Sequence, residues 1–186
     1  RRPDDPDFLA ARVGTRRAPF SMHLTIPSIK KQSPASEAMH ALTTDFATVE
    51  DIPCTISLSK MKSLGITGVR QEVAALVRAI LCQIATEHSP EDVHILGIFP
   101  LSQQHDWNWL NDLPHTEVLR GWNFPRMTAI GEDEANQVLS FLLEELSQRA
   151  SRQAEIASEE TAVGTPQSVA LPHILVIVHD YVDVRK

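Results

Sequence analysis

The stretch SLGITGVRQEVAALVRAILCQIATEH, residues 63–88, decides the reading of the chain. Its pattern predicts a short apolar strand, a glycine-bearing turn over residues 65–68, and a long helix. A strand that turns through glycines into a helix can cradle phosphate. The glycines let backbone amides approach the ligand, and the helix N-terminus adds partial positive charge. Laid on Gly65, however, the pattern G-x-x-x-x-G-K-[ST] puts Arg70 at the second glycine, Gln71 at the lysine and Glu72 at the hydroxyl that would bind magnesium. A neutral amide and a carboxylate at those places oppose ATP and metal binding. The candidate nucleotide-binding residues are therefore Gly65, Ile66, Thr67, Gly68, Val69, Arg70 and Gln71, a degenerate cradle in which Arg70 keeps one charge for a phosphate.

The helix that follows has Val73, Leu76, Val77, Ile80, Leu81 and Ile84 on one broad face, the spacing of a core-facing helix. Its far side carries small residues, Ala75, Ala79 and Cys82, ending at Thr86. This pattern predicts a helix sandwiched between neighbours, as in a wound α/β sheet, with Cys82 a buried small hydrophobe.

Upstream, RRPDDPDF (1–8) reads as an extended connector. Residues 8–14 and 20–26 read as short strands around a basic turn, a short helix is expected over SEAMHAL, and CTISLS (54–59) is a further strand. Downstream, EDVHILGIF (91–99) is a near-continuous apolar run ended by Pro100, the mark of a buried parallel strand. The polar, proline-broken segment after it holds Trp107, Trp109 and Trp122, which either form a binding surface or cap the core. MTAIG (127–131) is a short strand. The helix after it has acids in its first turn, arginines near its end, and Ala135, Val138, Leu139, Leu142 and Leu146 as its buried stripe. Residues 156–170 read as a surface loop.

A last strand over residues 174–178 leads to Asp180 at its carboxyl end, where open α/β sheets bind ligands. An aspartate so placed holds magnesium in nucleotide-hydrolysing sheets, or else caps the next turn. The following position, where a water-orienting acid would stand, is Tyr181. No catalytic residue is assigned.

Composition narrows the function further. The 186 residues are 42% hydrophobic and 22% charged, values of a globular protein. No apolar run approaches the roughly 18 residues that span a bilayer. A net charge of -7 disfavours nucleic acid as the main partner, because that binding draws its affinity from phosphate neutralisation. The two cysteines and eight histidines show no metal-ligand spacing.

In combination, RRPDDPDFLAARVGT, SLGITGVRQEVAALVRAILCQIATEHSPEDV, DWNWLNDLPH and LPHILVIVHD resemble the FtsK/SpoIIIE branch of RecA-like ATPases. Within that branch the chain is similar to the membrane-anchored ATPases of type VII secretion, EccC or EssC, and to their first, degenerate ATPase-like domain between the membrane helices and the ATPase modules. The resemblance implies an α/β, RecA-like three-layer domain with a mainly parallel central sheet over residues 53–186. Residues 1–52 would be an N-terminal connector with a small β extension packed on it. It also implies a role in protein export at the cytoplasmic face of the bacterial membrane, reached through upstream helices, in a hexameric assembly. The expected partners are the other domains of the same ATPase, type VII membrane components and, through the parent protein, WXG100-type substrates. No cofactor is expected to be firmly held. Weak binding of ATP and magnesium, with Asp180 as the strand-end carboxylate, is the alternative, and a nucleic-acid translocase module is a further one.

Overall fold

The computed structural model describes residues 1–21, 34–117, 126–159 and 171–179. The chain divides into two compact units, one of residues 4–84 and one of residues 1–3 with 85–186. Among the described residues no helix is long and apolar enough to cross a membrane.

The first unit is built on an antiparallel ribbon of β1 (Ala10–Pro19) and β2 (Thr48–Ser57), with helix α1 (Pro34–Asp45) between them in the chain. The basic pair Arg16 and Arg17 lies inside β1, so the turn expected there is absent: β1 runs on and pairs with β2. The strand expected over residues 20–26 falls mostly outside the described residues. Two register shifts, between Arg12 and Gly14 and between Arg16 and Ala18, mark bulges in the ribbon. Asp51, at the second, takes a left-handed φ of 57°. Residues 4–9 are turns that end on the buried Phe8 and Leu9, in place of the extended connector read from the two prolines. Phe8 donates its N–H to the Asp5 carbonyl at 3.0 Å, which closes the turn.

Helix α2 (Arg70–Glu87) begins where the apolar periodicity places it. Ala74, Ile80, Leu81 and Ile84 are buried, and Val73, Leu76 and Val77 are half-buried. The small-residue side is a correction: Ala75, Ala79, Cys82 and Thr86 are all exposed, so nothing among the described residues sandwiches the helix there. Small size permits close packing but does not supply a neighbour.

The second unit holds a parallel sheet in the order β4-β3-β5. The central strand β3 (Val93–Phe99) is flanked by β4 (Thr128–Ile130) and β5 (His173–Val178). Between β3 and β4 run short helical turns, Leu101–Gln103, α3 (Gln104–Trp107), Asn108–Asp112 and Pro114–Thr116. Between β4 and β5 runs the long helix α4 (Glu132–Glu159). Parallel neighbours require such crossovers. The result is the α/β architecture expected from sequence, a parallel sheet between helical layers that is consistent with a RecA-like fold.

The two faces of β3 explain the layers. Leu96 and Ile98 share a core with Met127 and Ala129 and with Ala135, Val138 and Leu142 of α4. On the other face, Phe99 stacks on Trp107, ring centres 4.7 Å apart and planes 9° apart. Gly97 is required here: a Cβ would lie 2.7 Å from Phe99 Cζ and 3.5 Å from Leu110 Cδ1. The buried Thr116 pins the crossover, its hydroxyl shared between the Leu110 (3.0 Å) and Leu113 (2.8 Å) carbonyls. Its own carbonyl accepts the Met127 N–H at 2.9 Å, which ties the short helices to the start of β4. On the far flank, Arg149 of α4 donates to the Pro172 carbonyl at 2.7 Å and to Glu145 at 2.8 Å, fixing the helix beside the entry to β5.

Candidate functional site

The expected cradle lies in the first unit. β2 ends at Ser57, Leu58 donates its N–H to the Leu9 carbonyl (2.9 Å), and Ser59 Oγ donates to the Phe8 carbonyl (3.2 Å). Residues 61–69 then form no regular element, so the strand expected before the glycines is absent. The chain enters the turn from an antiparallel ribbon instead of from a strand of the parallel sheet. Without a strand to bury them, Met61, Leu64 and Val69 are exposed, Val69 to 63%.

Gly65 stands in open space, where a Cβ would meet nothing within 4 Å. Gly68 has φ +155°, and a Cβ there would lie 3.5 Å from Val73 Cγ2. The Val69 carbonyl accepts the Val73 N–H at 2.9 Å, which makes Val69 the N-cap of α2. Valine has no side-chain acceptor for the first-turn amides. Arg70, Gln71 and Glu72 are exposed on that first turn, and the Glu72 carboxylate already complements the positive end of the helix. The seven candidate residues therefore do lie together around one helix N-terminus.

The second place the sequence points to is the carboxyl end of the sheet, in the other unit. His179, directly after β5, donates its N–H to the Ile98 carbonyl at 3.0 Å. Its ring meets Trp107 edge-on at 5.7 Å, so Phe99, Trp107 and His179 form one aromatic group at the strand ends. Trp107 is 2% exposed and therefore caps the core, while Trp109 is half-buried. Trp122, Asp180, Tyr181 and Asp183 lie outside the described residues.

The same end of the sheet holds a strand, a glycine and a helix in succession: β4, Gly131 and α4. Gly131 has a left-handed φ of +85° and its carbonyl accepts the Ala135 N–H at 3.1 Å. The Ile130 N–H donates to Glu134 Oε2 at 2.8 Å. With Glu132, Asp133 and Glu134 in the first turn, this helix N-terminus is already occupied by carboxylates and repels an anion.

A histidine cluster lies beside the sheet that spacing did not reveal. His115 is buried and its Nε2 is 2.9 Å from the His88 carbonyl, so that nitrogen carries the proton. Burial pushes the pKa of His94 on β3 down, and the charges of Arg149 and His115 push it the same way. A backbone hydrogen bond at Glu117 and the Glu145 charge oppose them. Scattered histidines share no motif, so only the fold brings these together. Among the described residues no group of three or more His, Cys, Asp or Glu side chains is placed to hold a metal ion.

An α/β unit with a parallel sheet, preceded by a glycine turn that lacks the phosphate-binding lysine, is the class these features define. No protein-family model matches the chain. It is similar to the ESX-4 secretion system protein EccC4 of Mycobacterium tuberculosis, 34% identical over 63% of this chain and 10% of that protein. It is similar to EccC3 of the ESX-3 system of the same organism, 29% identical over 97% of this chain and 13% of that protein. It is also similar to the ESX secretion system protein EccC of Thermomonospora curvata, 30% identical over 62% of this chain and 9% of that protein. The chain thus spans only about a tenth of the length of the curated relatives it matches.

Proposed function

We propose that this chain is a non-hydrolytic, ATPase-like coupling domain of a type VII secretion motor, on the cytoplasmic side of the membrane. It links the membrane stalk to downstream ATPase domains during protein export. Residues 1–52 serve as the extension toward the stalk and residues 53–186 as the degenerate ATPase domain. One observation carries this reading. The turn over residues 65–71 keeps its glycines and its helix, but Gln71 and Glu72 stand where lysine and a metal-binding hydroxyl would be, and exposed apolar residues surround it. The aromatic group at the strand ends supports it, since Phe99 and Trp107 fill space at the edge where wound sheets seat ligands. Similarity to EccC proteins supplies the secretion context.

The test is ATP turnover by the purified chain with magnesium. The rate expected is background. Turnover above background that Asp180→Ala abolishes contradicts the proposal.

One observation favours a second reading, a regulatory nucleotide sensor. Val69 leaves the first-turn amides of α2 without a side-chain cap at the N-cap position, and Arg70 stands beside them. Calorimetry with ATP and magnesium separates the two: saturable heat supports the sensor, and no heat at millimolar ligand removes it. In the sensor, Arg70→Ala weakens binding by about 1.5–3 kcal/mol, the worth of a charged hydrogen bond. A nucleic-acid translocase module is opposed by the net charge of -7 and is tested by salt-dependent binding to duplex DNA.

A further inference from the structure

At the first bulge of the ribbon, one side chain of α2 takes the place of a third strand. The Arg12 N–H donates to Gln83 Oε1 at 2.9 Å, and the Arg12 carbonyl accepts from Gln83 Nε2 at 2.9 Å. The second hydrogen on Gln83 Nε2 goes to the Ala79 carbonyl of its own helix at 3.1 Å. Both donors and the acceptor of the amide are used, and its orientation is fixed, since a flipped amide would set donor against donor. The amide is thus locked to its own helix on one side and to the β1 backbone on the other, where the register shift between Arg12 and Gly14 interrupts regular pairing.

We propose that Gln83 makes the β1–β2 ribbon and α2 one mechanical body, so that a displacement of the ribbon reaches the glycine turn at the helix N-terminus. The proposal rests on the reading of this chain as a coupling domain and names the residue that does the coupling. From Gln83 to Arg70 the helix runs about 20 Å at 1.5 Å per residue. A continuous hydrogen-bonded rod of that length transmits a tilt at one end as a shift at the other. The turn at its far end packs little, with Gly65 in open space, so it follows the helix and does not resist it.

The experiment is backbone NMR on the full chain, comparing wild type with Gln83→Leu and Gln83→Glu. Two readouts are taken: hydrogen exchange of the Arg12 amide, and the amide positions of Gly65 and Gly68. Expected in Gln83→Leu are Arg12 exchange about tenfold faster, as for loss of hydrogen bonds of this kind, and displaced Gly65 and Gly68 signals. Gln83→Glu, which keeps an acceptor for the Arg12 N–H, falls between. A second variant, Arg12→Pro, removes the donor from the ribbon side without touching α2 and should move the same two glycine signals, which covers the case that Gln83→Leu does not fold. Faster Arg12 exchange with unmoved glycines means a merely local bond and overturns the proposal, as does unchanged Arg12 exchange. Neither outcome bears on ATP turnover, so this proposal and the functional reading fail separately.

Discussion

The chain carries two glycine turns that lead into long helices, and each lacks what the other has. The turn over residues 65–68 is exposed, has no strand before it and caps α2 with a valine. The turn at Gly131 follows a strand of the parallel sheet, and its helix starts with three acids, one of which closes back on Ile130. A phosphate cradle needs strand, glycine, free amides and a cation in one place. Here the strand is in one unit and the arginine in the other. The glycines alone therefore say little about ligand binding.

Substitutions should separate the turns sharply. The largest effect expected is Gly131→Ala: with φ +85° and nothing within 4 Å of a Cβ, the cost is purely of the backbone, about 1–2 kcal/mol. Urea unfolding followed by tryptophan fluorescence measures it, because Trp107 and Trp109 lie in the sheet unit. Glu134→Ala removes the carboxylate that accepts the Ile130 N–H and should cost about 1 kcal/mol, as capping losses do, while Glu134→Gln retains most of it.

At the other turn the sign reverses. Val69→Asp puts a side-chain acceptor at the N-cap of α2, where valine has none, and should stabilise by about 0.5–1 kcal/mol, read from helical circular dichroism in urea. Gly65→Ala, in open space, should change stability by less than about 0.5 kcal/mol. A destabilising Val69→Asp would contradict the placement of Val69 as the N-cap of α2.

The weakest expected effect is a slope with pH. His94 has a folded pKa below its ordinary 6.5, chiefly through burial. The unfolded chain therefore binds the proton better, and the stability His94 contributes is whole above about pH 6.5. That contribution is lost as pH falls through 6.5 toward the folded value. Urea midpoints of the sheet unit should drop on acidification from this source, and His94→Gln should flatten that part of the slope. An unchanged slope in His94→Gln would remove His94 as its cause.

How much of this was legible in the sequence is clearest in β3 and β5, which share the letters His-Ile-Leu. VHILGIF and HILVIV are both apolar runs that read as strands, and both are strands of one parallel sheet. Yet β3 is buried almost throughout, while Val176 and Val178 of β5 are exposed to 39% and 42%. Apolar runs report that a strand can be buried. Whether it is central or flanking depends on neighbours that the local letters do not encode. The same reason accounts for Cys82 and the small stripe of α2.

Long periodic helices were legible because their own spacing carries the signal, and α2 and α4 begin where it places them. The missing strand before Gly65 was misread because Leu64 and Ile66 are apolar without having a sheet to join. The Gln83 bond to Arg12 and the His94–His115 neighbourhood were invisible, since they join residues far apart in the chain through geometry alone.

The most direct test of the central claim follows the backbone amides of residues 65–72 by NMR while ATP and magnesium are added to millimolar concentration. If the fuel-binding groups of this turn are lost, those amides stay in place, with at most a linear drift. Saturable shifts at micromolar ATP, centred on Gly68 to Gln71, would contradict the account.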